Sequence, residues 1–287
     1  MKSEIPNISI LGGGLLGGSL ALALGESFPT ARVRLWARKN ETVETALRLG
    51  IAGATGDLAA AVSGADLVVL AVPVGSMPAL VCQALDAGLP DGCIITDVGS
   101  VKRAPHLSIP PLIEGRGIEF IGSHPMAGSE RNGLEAATAD LFRNAACLLT
   151  NDHNAAAPRT AVVESLWQAV GCRTAWMSAS IHDELVARIS HLPHVLAASG
   201  ARICIKDASE GRFGGGGLRD TTRVASGNPE MWAEILTENR EALLGPIRET
   251  LADLAGILAI LEAGDQEATR QWLAAAKHQR DLLQAPN

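Results

Sequence analysis

The 287-residue chain has no tyrosine, and aromatic residues make up only 3% of it. A phenol is therefore excluded as catalytic acid or base. Long basic runs are also missing, and the formal net charge is −7. That balance excludes nucleic acid and anionic membrane surfaces as expected partners. An anionic small molecule still fits, provided Arg, Lys, His or a helix N-terminus is concentrated locally. The five cysteines (Cys82, Cys93, Cys147, Cys172 and Cys204) are scattered, with no Cys-x-x-Cys pair. This argues against a disulfide framework and against a zinc site, and suits small buried hydrophobes in a reducing cytoplasm. No run is long and apolar enough to span a membrane. Residues 8–24 imitate a signal peptide, with Lys2 ahead and Ala21-Leu22-Ala23 near the end, but Gly12, Gly13, Gly14, Gly17 and Gly18 interrupt the run.

What is present is a chain that is 47% hydrophobic and of a length that suits one large domain or two. Short β-rich runs at 8–11, 32–36, 67–72, 93–97, 119–121 and 146–150 alternate with amphipathic segments such as 41–49 and 77–87. Such alternation predicts βαβ units and a mainly parallel sheet. After about Ser178 the strands stop. Residues 181–205 read as one helix kinked at Pro193, 211–217 as a glycine-rich loop, 229–262 as a helix with a second kink at Pro246, and 265–284 as a last helix. Ile247, Leu251, Leu254, Leu258 and Leu261 form a regular apolar seam that wants a partner helix, from this chain or from a second subunit. The expected architecture is α/β: a Rossmann-type dinucleotide-binding domain over 1–178, then an all-α substrate and dimerisation domain over 179–287.

The first βαβ unit carries a fingerprint. Ile8-Ser9-Ile10-Leu11 runs straight into Gly12-Gly13-Gly14-Leu15-Leu16-Gly17. Gly12 permits a tight turn, Gly14 lets the backbone approach a pyrophosphate, and Gly17 lets the helix pack close on the sheet. The amides of Leu15 and Leu16 then face the phosphates from a helix N-terminus. Val72, at the end of the third β-rich run, and Pro73 just after it are expected to border the same cofactor. Where an NAD site usually has an acid for the ribose 2′-hydroxyl, this chain has Ala37, followed by Arg38 and Lys39. A 2′-phosphate suits that set, so the expected cofactor is NADP or NAD, with NADP preferred.

Polar residues gather in four further segments: Asp97-Val98-Gly99-Ser100-Val101-Lys102, Gly122-Ser123-His124-Pro125-Met126-Ala127-Gly128-Ser129-Glu130, Ser190-His191-Leu192-Pro193-His194, and Leu218-Arg219-Asp220-Thr221-Thr222-Arg223 with Asn228-Pro229-Glu230-Met231-Trp232 beyond it. In this order, and over nearly the whole chain, they resemble the prephenate/arogenate dehydrogenase family. The resemblance implies a Rossmann domain joined to a helical dimerisation domain and a homodimer through the C-terminal helices. Some relatives carry a fused chorismate mutase or a C-terminal regulatory domain; neither is expected within these 287 residues.

The resemblance also assigns roles. His124 matches the catalytic histidine, and a neutral imidazole suits proton abstraction near neutral pH. Ser100 matches a serine that hydrogen-bonds the base and the substrate hydroxyl. Arg223 matches the arginine that holds a substrate carboxylate, which guanidinium binds bidentately. Asp220 either orients Arg223 or caps the next helix. Ser129, Glu130, His191, His194 and Trp232 are expected around the substrate, Trp232 from the other subunit in some relatives. The implied reaction is oxidative decarboxylation of prephenate to 4-hydroxyphenylpyruvate, in a cytoplasmic enzyme of tyrosine biosynthesis. Arogenate, giving tyrosine directly, is the alternative substrate. A non-catalytic dinucleotide-binding regulator would need the glycines without His124, Ser100 and Arg223. A β-hydroxyacid dehydrogenase would be expected to show a lysine where this chain offers His191 and His194.

Overall fold

The computed structural model describes residues 6–128, 131, 133–207 and 209–283. Ser129 and Glu130 lie outside the described residues. The chain divides into two compact units, Met1–Asn239 and Arg240–Asn287.

The first unit opens with β1 (Asn7–Leu11), α1 (Leu15–Ser27), β2 (Arg32–Trp36), α2 (Asn40–Arg48), β3 (Ala54–Thr55), α3 (Leu58–Val62), β4 (Leu67–Leu70), α4 (Met77–Asp86), β5 (Ile94–Asp97), α5 (Arg103–Ser108) and β6 (Glu119–Phe120). These strands form one sheet in the order β3-β2-β1-β4-β5-β6, parallel throughout. That is the doubly wound order whose crevice at the carboxyl end of β1 receives dinucleotides. Strand β4 is buried along its whole length, as a strand covered on both faces must be. Alternation sorts its side chains. Leu67 and Val69 join Ile8, Ile10, Leu20 and Trp167 in one core, while Val68 and Leu70 join Leu80 and Val81 of α4 in the other.

A single residue, Ile121, separates β6 from β7 (Gly122–Pro125). With β8 (Ala146–Thr150), α6 (Ala157–Ala169) and β9 (Arg173–Met177), β7 builds a second, three-stranded sheet in the order β7-β8-β9. The β7–β8 pair is antiparallel and β8–β9 parallel. This sheet was not expected. Gly-Ser-His-Pro has no β-branched residue and no alternation, and β9 presents mixed exposure, so neither shows a strand period. His124 consequently lies within a strand.

The helical stretch also departs from expectation. Residues 181–205 are not one helix: α7 (Ala179–Val186) passes through a π-helical segment, Ala187–His191, into α8 (Leu192–Cys204). Pro193 has no N–H to give the Ile189 carbonyl and its ring crowds it, so the turn ahead of it widens. The glycine-rich stretch is partly helical, with a 3-10 turn at Glu210–Phe213 and a short α9 (Gly216–Thr222). A 3-10 turn, Arg223–Ser226, leads to α10 (Pro229–Glu238). The break in the 229–262 stretch falls at Asn239 rather than at Pro246, which sits inside a continuous helix, α11 (Arg240–Glu262).

The second unit is the hairpin of α11 and α12 (Gln266–Leu282). Gly264 turns the chain at φ 65°, and the Asp265 side chain caps α12 by accepting from the Ala268 amide. The seam residues Leu251, Leu254, Leu258 and Leu261 are 51–62% exposed on the single chain. Among the described residues no helix is long and apolar enough to cross a membrane.

Candidate active site

The glycine loop has the shape a pyrophosphate needs. Gly12 adopts φ 131°, and a Cβ there would meet the Ala71 carbonyl oxygen at 2.2 Å. A Cβ at Gly17 would lie 1.9 Å from the Gly12 carbonyl oxygen. Both positions are closed to any side chain. Gly14 is the opposite case: a Cβ there would meet nothing within 4 Å. Open space thus lies over the start of α1, whose first turn has no acidic residue and whose N-cap, Gly14, offers no side-chain cap. Uncapped amides under open space fit a phosphate pair. Val72 borders the same turn, its Cγ1 lying 3.1 Å from where a Gly12 Cβ would stand. Ala37 is buried at the end of β2 and comes under Gly13, while Arg38 and Lys39 are exposed just beyond.

Beyond the parallel sheet, the loop after β5 is clamped from within. The Asp97 carboxylate is fully buried. It accepts from the Ser123 amide at 2.9 Å, from the Gly99 amide at 2.9 Å and from the Lys102 ammonium, itself fully buried. One side chain thereby fixes the loop that carries Ser100 and ties it to the start of β7. Removing one partner of such a buried pair typically costs about 3–5 kcal/mol. Ser100 itself is half-buried.

His124 projects from β7 into a chain of buried polar groups. Its Nδ1 lies 2.9 Å from His182 Nε2, and His182 Nδ1 lies 2.7 Å from Asp183 Oδ1. Asp183 is anchored in turn by the backbone amides of Lys102 at 2.7 Å and Arg103 at 3.0 Å. Burial pushes the Asp183 carboxyl up, but the hydrogen bonds from His182, Arg103 and Lys102 outweigh it, and its pKa falls below the usual carboxylate value. His124 is held well below the ordinary imidazole value by burial, reinforced by the neighbouring His182, Lys102 and His191. Burial lowers His182 too, against the opposing pull of Asp183.

These directions fix the protons. An ionised Asp183 only accepts, so His182 donates through Nδ1–H and keeps its lone pair on Nε2. That lone pair accepts the Nδ1–H of His124. The lone pair of His124 is therefore on Nε2, the nitrogen turned away from the chain.

His191, at the end of the π segment, is fully buried, and burial pushes its pKa down to about 4. His194 is also buried and stacks on Trp232 at 3.6 Å between ring centroids, while His191 meets the same indole edge-on. Trp232 thus joins the two histidines within one chain. The buried nitrogens His191 Nε2 and His194 Nδ1 have no hydrogen-bond partner among the described residues. Arg223 is exposed at the head of its 3-10 turn, which packs against α8. Among the described residues no hydrogen bond or ion pair joins it to His124 or to Asp220. Nor does Asp220 cap α10: Asn228 does, accepting from the Glu230 and Met231 amides at 2.9 and 3.1 Å.

Sequence reasoning missed His182, Asp183, Asp97 and Lys102 as parts of this site. Asp97 and Lys102 stood inside a segment already singled out. His182-Asp183 offered a signal: an adjacent titratable pair one turn into a helix.

A parallel sheet with a glycine cradle, followed by a helical region that buries a histidine chain, defines an NAD(P)-dependent dehydrogenase. The prephenate dehydrogenase nucleotide-binding domain matches residues 20–176, and the prephenate dehydrogenase dimerization domain matches 178–275. The chain belongs to the prephenate dehydrogenase family, enzymes that dehydrogenate prephenate- or arogenate-type substrates oxidatively. It is 32% identical to a prephenate dehydrogenase of Bacillus subtilis strain 168, over 99% of this chain and 77% of that one. It is 34% identical to a cyclohexadienyl dehydrogenase of Zymomonas mobilis, over 90% and 89% of the two chains. The crystal structure of a prephenate dehydrogenase from A. aeolicus, in complex with hydroxyphenyl propionate and NAD+, superposes with a TM-score of 0.88 at 27% identity, covering 99% of this chain and all of that one.

Proposed function

We propose that the enzyme converts prephenate to 4-hydroxyphenylpyruvate, with His124 as the base. The observation that carries this reading is the His124–His182–Asp183 chain, which leaves His124 with its lone pair on Nε2, the nitrogen opposite the one the chain holds. Prephenate has a hydroxyl on ring C4 and a carboxylate on C1. His124 removes the hydroxyl proton as the C4–H bond breaks, and C4 becomes a carbonyl carbon. The C1 carboxylate leaves as carbon dioxide, and its electron pair makes the ring aromatic. A nicotinamide cofactor bound in the glycine cradle would supply the acceptor for the C4 hydride.

The protein's own contribution is to bind, orient and hold one proton. Gly12, Gly14, Leu15, Leu16 and Gly17 hold the pyrophosphate, bordered by Val72 and Pro73. Ser100 hydrogen-bonds the substrate hydroxyl. Arg223 anchors a carboxylate. His191, His194 and Trp232 wall the ring, and Ser129 and Glu130 border the substrate side chain. NADP is the preferred cofactor, because Ala37 offers no carboxylate to bind a 2′-hydroxyl or repel a 2′-phosphate, and Arg38 and Lys39 are exposed beside it. The domain boundary falls at 178/179. The leucine seam of α11 is covered by a second copy, giving a cytoplasmic homodimer.

Following reduced-cofactor formation with prephenate and arogenate, each crossed with NADP and NAD, tests the reading. Prephenate with NADP is expected to have the highest kcat/KM. Strong preference for arogenate, or for NAD, overturns the corresponding part.

A further inference from the structure

Asn239 is the last residue of the first unit, closes α10 and is buried. Its Nδ2 makes two contacts: 2.8 Å to the Asp183 carbonyl oxygen and 3.0 Å to His191 Nδ1. A carbonyl oxygen can only accept, so the amide atom facing it is the NH2 group and not the oxygen. An amide NH2 has no lone pair to offer, so His191 Nδ1 must be the acceptor. His191 is neutral, because burial holds its pKa at about 4. Its single ring proton is therefore on Nε2. That nitrogen is buried and has no partner among the described residues. A buried donor without an acceptor is costly, and in an active site it marks where a ligand oxygen belongs.

We infer that Asn239 is a positioning residue that fixes His191 as the Nε2–H tautomer, so that His191 donates to an oxygen of the substrate. The site then holds two neutral imidazoles of opposite polarity. His124 presents a lone pair and His191 presents a proton, and both are set from Asp183, one through its carboxylate and one through the amide that holds its carbonyl. A neutral N–H donor takes a carboxylate or keto oxygen and rejects an ammonium, which has only protons to offer. The inference rests on the proposed reaction for its ligand, but not for the tautomer.

Long-range proton–nitrogen correlation NMR of the histidine-labelled full chain reads the tautomer without turnover. The expected spectrum has His191 protonated on Nε2 and His124 on Nδ1. Asn239→Asp replaces the donor with an acceptor of the same size. It should move the His191 proton to Nδ1, leave His124 unchanged, and raise KM for prephenate by ~10- to 100-fold with a smaller change in kcat. His191→Gln carries its own amide donor, so adding Asn239→Asp in that background should cost no further KM. The inference is overturned if wild-type His191 carries its proton on Nδ1, or if Asn239→Asp raises KM equally in both backgrounds. The first outcome needs no variant to fold. A wild-type enzyme inactive on both prephenate and arogenate would overturn the proposed reaction instead, leaving the spectrum to judge Asn239.

Discussion

The cofactor cradle and the histidine chain are built from different materials. The cradle is backbone: three glycines, the start of one helix and the ends of two adjacent strands, all within a short stretch of sequence plus β4. The histidine chain is side chain: His124 from β7, His182 and Asp183 from α7, with the amides of Lys102 and Arg103 holding the far end. A backbone site tolerates almost any side chain that does not intrude. A side-chain site depends on the identity and proton count of each member. The two regions should therefore fail in different ways when altered.

The largest expected effect is at His124. His124→Asn should lower kcat by on the order of 10²–10⁴ while cofactor affinity stays unchanged. Steady-state kinetics alongside fluorescence titration of the cofactor measure both, and a kcat within a few-fold of wild type would remove His124 as base. Next comes the response of the buried imidazoles to acid. His106 and His191 are both pushed down to about 4, chiefly by burial. The unfolded chain binds protons on them near 6.5, so between about 6.5 and 4 the unfolded state holds more protons. Stability should fall as pH drops through that window, by up to about 3 kcal/mol for each group, and these two groups add nothing further outside it. Urea unfolding at pH 7 and pH 4.5 checks this; equal free energies would contradict it.

Arg223→Ala should reduce kcat/KM by a factor of roughly tens to hundreds, mostly through KM, with Arg223→Lys recovering only part. An unchanged KM would remove Arg223 from the carboxylate. The smallest effects sharpen the contrast within the cradle. Gly17→Ala pushes a methyl into a carbonyl 1.9 Å away and should cost roughly 1–3 kcal/mol of stability. Gly14→Ala meets nothing within 4 Å, so its melting temperature should stay near wild type while cofactor affinity drops. Thermal melts with and without cofactor separate the two, and a destabilised Gly14→Ala would show that the open space is not real.

The same difference governs what could be read without coordinates. The parallel sheet was legible because βαβ alternation is periodic, and the cradle because its glycines stand at fixed local spacing. The family resemblance supplied His124, Ser100 and Arg223. What stayed hidden depends on contacts across long separations or on structure with no period. His182 lies 58 residues from the histidine it holds, and Asn239 lies 48 from His191. Strand β7 carries Gly and Pro, which argue against a strand, yet it forms because β8 is there to pair with it. Pro193 was recognised as a disruption, but its outcome as a π segment depends on the packing that keeps the helix going on either side. Pro246 shows the reverse: the residue that promised a break lies inside α11, and the break falls at Asn239.

Ile121 is fully buried and is the whole of the connection between β6 and β7. One residue gives the strand that bears His124 no hinge, and the Asp97 carboxylate bolts the next residue but one, Ser123, to the end of β5. The base is in effect an extension of the parallel sheet, as immobile as the floor under the cofactor. Any opening that admits the ring or releases carbon dioxide has to be carried by the other wall, where α8, its π segment and Trp232 stand.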